Sequence, residues 1–372
     1  MCSNGQLIFT DPNNPDSDGD GLLDGEEIQA KYLSEYMLSN DITQPNANKL
    51  TFVMKSDPRK VDSDGDGLND YDEVNQYTTN PNKSDINKLS LKNDFFSINY
   101  KYKEGIEKNW ADLKNDGNIQ SYGGYQGWFG SYGYLGENNI FCNGTANGRS
   151  IHSKGCGIIA MADMFMYLAL SDSKYNPIYN SNPFYDNIDL GNSYTNIDFD
   201  TYVAYIVQIS QYFKIESFIL KGIPAVAPVL TSLKDSFNDI NQKYDMGMSI
   251  KWDPYGSNAK NCMNAIKNML QNDTPVVFSY MNNNQLLQLY EFKDDAYVET
   301  ISDYNIKSHY MVATGVIEYS DEIATVFGHK TMIKIATYGK VFYMDYEDYS
   351  KNLNFVTNIF EINKEGDISY ER

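Results

Sequence analysis

Two acidic segments carry side chains whose spacing could hold a metal ion. Counted from Asp16, carboxylates fall at positions 1, 3, 5, 9 and 12, as Asp16, Asp18, Asp20, Asp24 and Glu27. Counted from Asp62, the same positions hold Asp62, Asp64, Asp66, Asp70 and Glu73. Alternate side chains of one tight loop can wrap a hard cation in oxygen, with glycine at position 6 for the turn and a backbone carbonyl at position 7. The glycines are Gly21 and Gly67, and the carbonyls belong to Leu22 and Leu68. Five carboxylates this close repel one another strongly when no cation is bound. Calcium is therefore the expected cofactor, and each loop is expected to loosen without it.

A different chemistry is offered by Cys156, which stands between Gly155 and Gly157 at the head of the run "CGIIAMADMFMYLA". A thiol in the first turn of a helix feels the positive end of the helix dipole, which favours the nucleophilic thiolate. The flanking glycines leave backbone amides open to a developing oxyanion. Such a nucleophile needs a base, and the chain has three histidines. His329 lies in "FGHKT", read as a hairpin turn between "EIATVF" and "MIKIA". His152 is only four residues before Cys156, on the same loop. His309 heads "SHYMVATGVIEY", whose alternation reads as a strand, and a strand end is a firm mount for a base.

These groups need elements to position them. After Cys156 the only charge in the run is Asp163, while Ile158, Ile159, Met161, Met164, Phe165, Met166 and Leu168 cover every face, so the helix is expected to be buried. Cys262 sits at helical spacing with Ile266 and Met269 and reads as a small core residue. "NDTPVVFSY" reads as a buried strand that follows it. After the first acidic loop, Ile28, Tyr32, Leu33, Tyr36 and Met37 form one helical stripe, so Glu27 is expected to open a helix. The Gly- and Tyr-rich stretch 121–139 reads as an ordered loop winding over the core.

Composition sets the boundaries. The 372 residues suffice for two domains, and the net charge of −20 speaks against nucleic acid or an anionic membrane as partner. Residues 1–90 hold 17 acidic against 7 basic side chains, half of that net charge in a quarter of the length. The expected division is therefore 1–90 and 91–372. No apolar run is long enough for a membrane span, and no signal peptide is visible, which suggests a fragment or another export route. Four cysteines are too few for a disulfide scaffold, and Cys2 and Cys142 could be free or paired.

The motifs carry two family resemblances. The repeated D-x-D-x-D-G-x-x-D-x-x-E core after an Asp-Pro opening, with "NPNKSD" from Asn80 as a decayed third copy, resembles bacterial thrombospondin type 3 repeats. That resemblance implies a calcium-stabilised surface or secreted module. From about residue 120 to 350 the order G-C-G on a buried helix, a P-V-V strand, "HYMVATG" and "IKIATYGKVFYMDY" resembles papain-like cysteine peptidases, including the bacterial branch that trims leader peptides. It implies an α+β fold in which a buried helix carrying Cys156 packs on an antiparallel sheet carrying His309, with Cys156 as nucleophile and His309 as base.

The chain departs from that family in two places. Ser150 stands where the family has its oxyanion-hole glutamine, with Gln126 as a candidate substitute. Ala336 stands where the family has its histidine-orienting asparagine, with Thr337, Asp345, Glu347 or Asp348 as possible replacements, or a bare dyad. The expected function is an extracellular peptidase that cleaves a peptide or isopeptide bond of a peptide or protein substrate. The alternatives are a cell-wall peptide amidase, or a calcium-stiffened adhesion module without chemistry.

Overall fold

The first acidic loop runs into α1 (Asp24–Glu27), and the chain then passes directly into β1 (Ile28–Ala30). In the computed structural model β1 pairs antiparallel with β2 (Phe52–Met54), Ile28 opposite Met54. The helix expected to open at Glu27 does not form over Ile28–Ala30: α1 ends at Glu27, because Ile28 finds a cross-strand partner and Lys55 N donates to Glu27 O. The structure describes residues 10–30, 52–101, 118–125, 155–172, 196–198, 226–252 and 258–367, with single positions omitted within these ranges and a few added between them. Tyr32, Leu33, Tyr36 and Met37 of the expected stripe lie outside the described residues.

The second acidic loop leads into α2 (Asp70–Asp72), which continues as a π turn (Glu73–Tyr77) and stops at Thr78 in the left-handed region. Next comes β3 (Ile86–Ser90). The chain divides into two units, residues 1–88 with 317–330 and residues 89–316 with 331–372.

The second unit begins with a small sheet of β4 (Ser97–Lys101), β5 (Asn118–Gln120) and β6 (Asn196–Asp198), in which β4 is central. Between β5 and β6 lies α3 (Cys156–Ser171), and from Gly157 to Leu170 every residue of it is buried. Its apolar residues on all faces leave no side to give to water, as expected. Two further helices follow, α4 (Val226–Tyr244) and α5 (Ala259–Gln271), separated by β7 (Met248–Trp252). Cys262, Ile266 and Met269 line the inner face of α5, with Cys262 fully buried in the core as its spacing implies.

β8 (Val276–Met281) is the buried strand expected from "NDTPVVFSY". After it come β9 (Leu289–Lys293), β10 (Ala296–Glu299) and the long β11 (Ser308–Tyr319). The next segment is α6 (Asp321–Phe327), a helix where the reading of His329 as a hairpin residue needed a strand. Local signals win there over the β-branched content of "EIATVF". Ser320 caps the helix by accepting from Ile323 N, Asp321 and Glu322 fill the first turn, and Gly328 closes it in the left-handed region.

β12 (Thr331–Thr337), β13 (Lys340–Asp345), α7 (Tyr346–Ser350) and β14 (Phe360–Lys364) complete the chain. The main sheet runs in the order β10, β9, β13, β12, β11, with β8 also paired to β11. The pairs β8/β11, β12/β13, β13/β9 and β9/β10 are all antiparallel. The fold of the described residues is thus α+β, and the register of β11 sets His309 opposite Tyr280.

Candidate active site and metal-ion loops

Within the first unit the two acidic loops repeat each other atom for atom. Asp16 accepts from Gly19 N at 2.8 Å and Gly21 N at 3.2 Å, and Asp62 accepts from Gly65 N at 2.7 Å and Gly67 N at 2.8 Å. Asp18 accepts from Asp20 N, and Asp64 from Asp66 N, both at 3.1 Å. Asp20 and Asp66 accept from the amides of Leu22 and Leu68, the residues at position 7. Gly21 and Gly67 have φ of 107° and 99°, which L side chains rarely adopt, so position 6 is glycine for a backbone reason. This winding brings one oxygen each of Asp16, Asp18 and Asp20, and likewise of Asp62, Asp64 and Asp66, within 4.8 Å of one another.

Position 9 is built differently. Asp24 spends both oxygens on Ser17 N and Oγ, at 2.8 and 2.9 Å, and Asp70 spends both on Ser63 N and Oγ, at 2.8 and 2.7 Å. These carboxylates brace the loop from behind. Position 12 is half committed. Glu27 Oε1 accepts from Ser56 Oγ and Glu73 Oε1 from Thr79 Oγ1.

The other oxygen of each position-12 glutamate, and Oδ2 of Asp18 and Asp64 at position 3, are buried without a partner among the described residues. Burial first, and the neighbouring carboxylates after it, push Glu27 up to about 7, Glu73 up to about 8 and Asp64 up to about 6. Buried anionic oxygen with nothing to pair with is costly, and the same atoms are orphaned in both loops. An oxygen-only donor set of this kind fits a hard divalent cation such as calcium.

In the second unit, α3 delivers Cys156 at its first residue with Gly155 as N-cap. Gly157 is small for a packing reason, since a Cβ there would lie 2.9 Å from Leu233 Cδ1 and 3.2 Å from the Tyr310 ring. β11 delivers His309 from the sheet. Both side chains line one small, partly open pocket together with Gly124, Tyr125, Asp163, Ala336, Thr337 and Tyr338. Residues 153 positions apart in sequence thus meet at a single site.

His309 is held on two sides. Its Nε2 lies 2.7 Å from Thr337 Oγ1, and its ring stacks on Tyr338 at 4.6 Å with the planes 7° apart. Both partners come from the hairpin between β12 and β13, where Thr337 pairs with Lys340 across the two-residue turn Tyr338–Gly339. The turn residues have φ of 54° and 70°, the mirror-image turn whose twist suits a hairpin. A tyrosine there is uncommon, and its ring is what covers the imidazole. Ala336 lines the cleft without touching the polarity of the ring, and its neighbour Thr337 supplies the hydroxyl. Two acids of "MDYEDY" are engaged elsewhere, with Asp345 accepting from Glu347 N and Asp348 N to cap α7, and Asp348 paired with Lys351, while Glu347 is exposed on that helix.

Burial dominates the electrostatics of the pair. Burial pushes the Cys156 thiol up, and the amides of Tyr310, Gly157 and Cys156 itself offset this only in part. Burial thus opposes the thiolate that a helix start favours. Burial also lowers His309 to about 4. Both shifts favour the neutral forms, thiol and imidazole.

Asp163, two turns along α3 from Cys156, is visible in the sequence as the one charge on a buried helix, yet nothing local announces its partners. It is 3 % exposed, and accepts from Tyr202 Oη at 2.5 Å and Gly124 N at 2.8 Å. His329 belongs to the first unit, after α6. Cys2, Gln126, Cys142, Ser150 and His152 lie outside the described residues. Replacing Thr337 by valine keeps the shape but leaves a buried ring nitrogen unpaired. The expected loss is about 1–3 kcal/mol in the denaturant-induced transition of the second unit.

Among the described residues no helix is long and apolar enough to cross a membrane. No curated protein and no solved structure matches the chain. Residues 16–31 and 62–84, which hold the two acidic loops and the short segments after them, match the bacterial TSP3 repeat, a calcium-binding repeat family.

Proposed function

We propose that the second unit is a papain-like cysteine peptidase, extracellular or displayed at the cell surface, stabilised by calcium bound in the first unit. The observation that carries this reading is the meeting of Cys156 and His309 in one cleft, with Nε2 of the histidine already engaged by Thr337. When Thr337 accepts from Nε2–H, Nδ1 is left with its lone pair and is the atom able to take the thiol proton.

In the proposed reaction the Cys156 sulfur attacks the substrate carbonyl as its proton passes to His309. The Cys156 backbone N–H supports the oxyanion. The C–N bond then breaks, the amine leaves with the proton returned by His309, and a thioester remains on Cys156. Water, deprotonated by the same imidazole, attacks the thioester, freeing the acid and restoring the thiol. Neutral partners at rest mean that charge is created only as the bond forms, in a site whose amides are already in place. An extracellular setting suits the repeats, because calcium is plentiful there. Bound calcium would supply the positive charge that the orphaned oxygens of both loops lack.

A substrate-independent test is p-nitrophenyl acetate. The calcium-loaded protein is expected to release p-nitrophenolate in a burst with acetyl mapped to Cys156, and Cys156→Ala to show none. A second reading is favoured by the rings of Tyr125 and Tyr304, which each pack on Tyr338 beside His309 and offer an aromatic surface to a ligand without chemistry. A wild-type protein that is never acetylated at Cys156 would favour that reading.

A further inference from the structure

The cleft holds one buried carboxylate that the proposed reaction does not use. Asp163 rises from the same helix as Cys156, and its two oxygens hold two different segments. Oδ1 takes the hydroxyl of Tyr202, and Oδ2 takes the amide of Gly124. Segment 121–125 is fitted to this contact. A Cβ on Gly123, which sits at φ 67°, would come within 2.9 Å of Asp163 Oδ2, and one on Gly124 would lie 1.7 Å from Tyr202 Oη. Only glycine allows the backbone to approach the carboxylate so closely at both positions.

The other side of the same segment is bound to the turn that holds the histidine. Tyr122 N donates to Gly339 O at 2.8 Å, and Gly339 N donates to Gly124 O at 3.2 Å. Ser121 Oγ donates to Gly123 O at 2.8 Å and keeps the segment bent between these contacts. Gly339 follows Tyr338 and Thr337, the two residues that stack on and hydrogen-bond to His309. Hydrogen bonds therefore link the thiol-bearing helix, through Asp163 and Gly124, to Gly339, which the chain joins directly to the groups that orient the imidazole.

We propose that Asp163 is a positioning residue that sets the placement of the His309-holding turn relative to the Cys156 helix, acting through the backbone of residues 122–124. The proposal rests on the peptidase reading. It follows from geometry: Asp163 ties the helix to the glycine segment by a direct hydrogen bond, whereas Phe95, which lies against Tyr167 of the helix and against Gly123, joins them by packing alone. Displacements of about 1 Å in a reacting pair cost on the order of 10²-fold in rate, so a loosened clamp is expected to be felt in the chemical step rather than in ester affinity.

The experiment measures acetylation of Cys156 by p-nitrophenyl acetate in the full calcium-loaded chain, separating the maximal rate from the ester concentration at half-rate. Asp163→Ala is expected to lower the maximal rate by about 10–10²-fold with the half-rate concentration little changed. In the His309→Ala background the same substitution is expected to add nothing, because the placement it spoils no longer matters. Asp163→Asn is expected to restore most of the loss, since its amide oxygen can still accept from Gly124 N while its NH₂ donates to Tyr202.

Should Asp163→Ala fail to fold, Tyr202→Phe removes one of the two contacts and is expected to give a several-fold loss, again absent without His309. Wild-type rate in Asp163→Ala or in Tyr202→Phe, or losses that multiply with that of His309→Ala, overturn the clamp while leaving the peptidase reading intact. Wild-type acetylation that is indifferent to His309 overturns the reading itself, and the clamp with it.

Discussion

Replacing His309 by alanine is expected to slow acetylation of Cys156 by about 10²–10⁴-fold, the range a positioned general base contributes. The pH dependence is the sharper part of this expectation. A base must be unprotonated to act, and burial lowers His309 to about 4. The acid limb of the wild-type acetylation rate is thus expected near pH 4, with little change between pH 5 and 7, where an ordinary histidine would lose its activity. In His309→Ala the limb should vanish and the residual rate should climb with pH, following the thiol alone, which burial holds above its usual value.

A limb near pH 6.5 would mean that the imidazole is wetter than its surroundings in the cleft imply. The same shift is a stability statement. Between pH 4 and 6.5 the unfolded chain takes up the histidine proton more readily than the folded one, so this group makes stability rise with pH through that window, by about 3 kcal/mol in all.

How much of this site can be read from sequence depends on how far each residue's partners lie along the chain. The buried helix after Cys156 and the strand after His309 announce themselves by composition and alternation, which are local properties. The partner of His309 is harder to see, since Ala336 falls where an asparagine is sought. Only the pairing of Thr337 with Lys340 across a two-residue turn places the next residue's hydroxyl on the ring.

Asp163 is conspicuous as a lone charge, but its meaning lies with Gly124, 39 residues earlier, and Tyr202, 39 residues later. The strand that replaces the helix expected from Glu27 departs from expectation for the same reason. Ile28 belongs to a strand whose partner, Met54, is distant in sequence, and a helical stripe cannot reveal that competitor. In α6 the discrepancy runs the other way, because the Ser320 cap and the Gly328 stop are legible in the sequence and outweigh the β-branched content between them.

Removing calcium is expected to have the largest effect on the first unit. Its loops concentrate carboxylates, of which one oxygen at each of positions 3 and 12 is buried without a partner among the described residues, and a cation bound only by the folded loop stabilises it by mass action. At a hundredfold excess over the dissociation constant the gain is about 2.7 kcal/mol per site. Chelation should therefore lower the melting temperature of this unit and speed proteolysis of residues 10–90, and restoring calcium should reverse both.

The geometry further ranks the ligands. Asp64→Asn and Glu73→Gln touch oxygens that have no partner among the described residues, so each is expected to weaken calcium binding by at least tenfold in titration calorimetry. Asp70→Asn touches a carboxylate whose two oxygens already bind Ser63, and its main effect is expected on the stability of the calcium-free loop rather than on the ion. The loops are joined, since Tyr71 N of the second donates to Asp20 of the first at 3.1 Å and its ring lies against Gly21. Glu73→Gln should consequently weaken binding at the first loop as well. If the two loops instead lose calcium independently, that contact transmits nothing. If chelation leaves melting and proteolysis unchanged, the orphaned oxygens must be satisfied by protons, and the first unit folds without a metal.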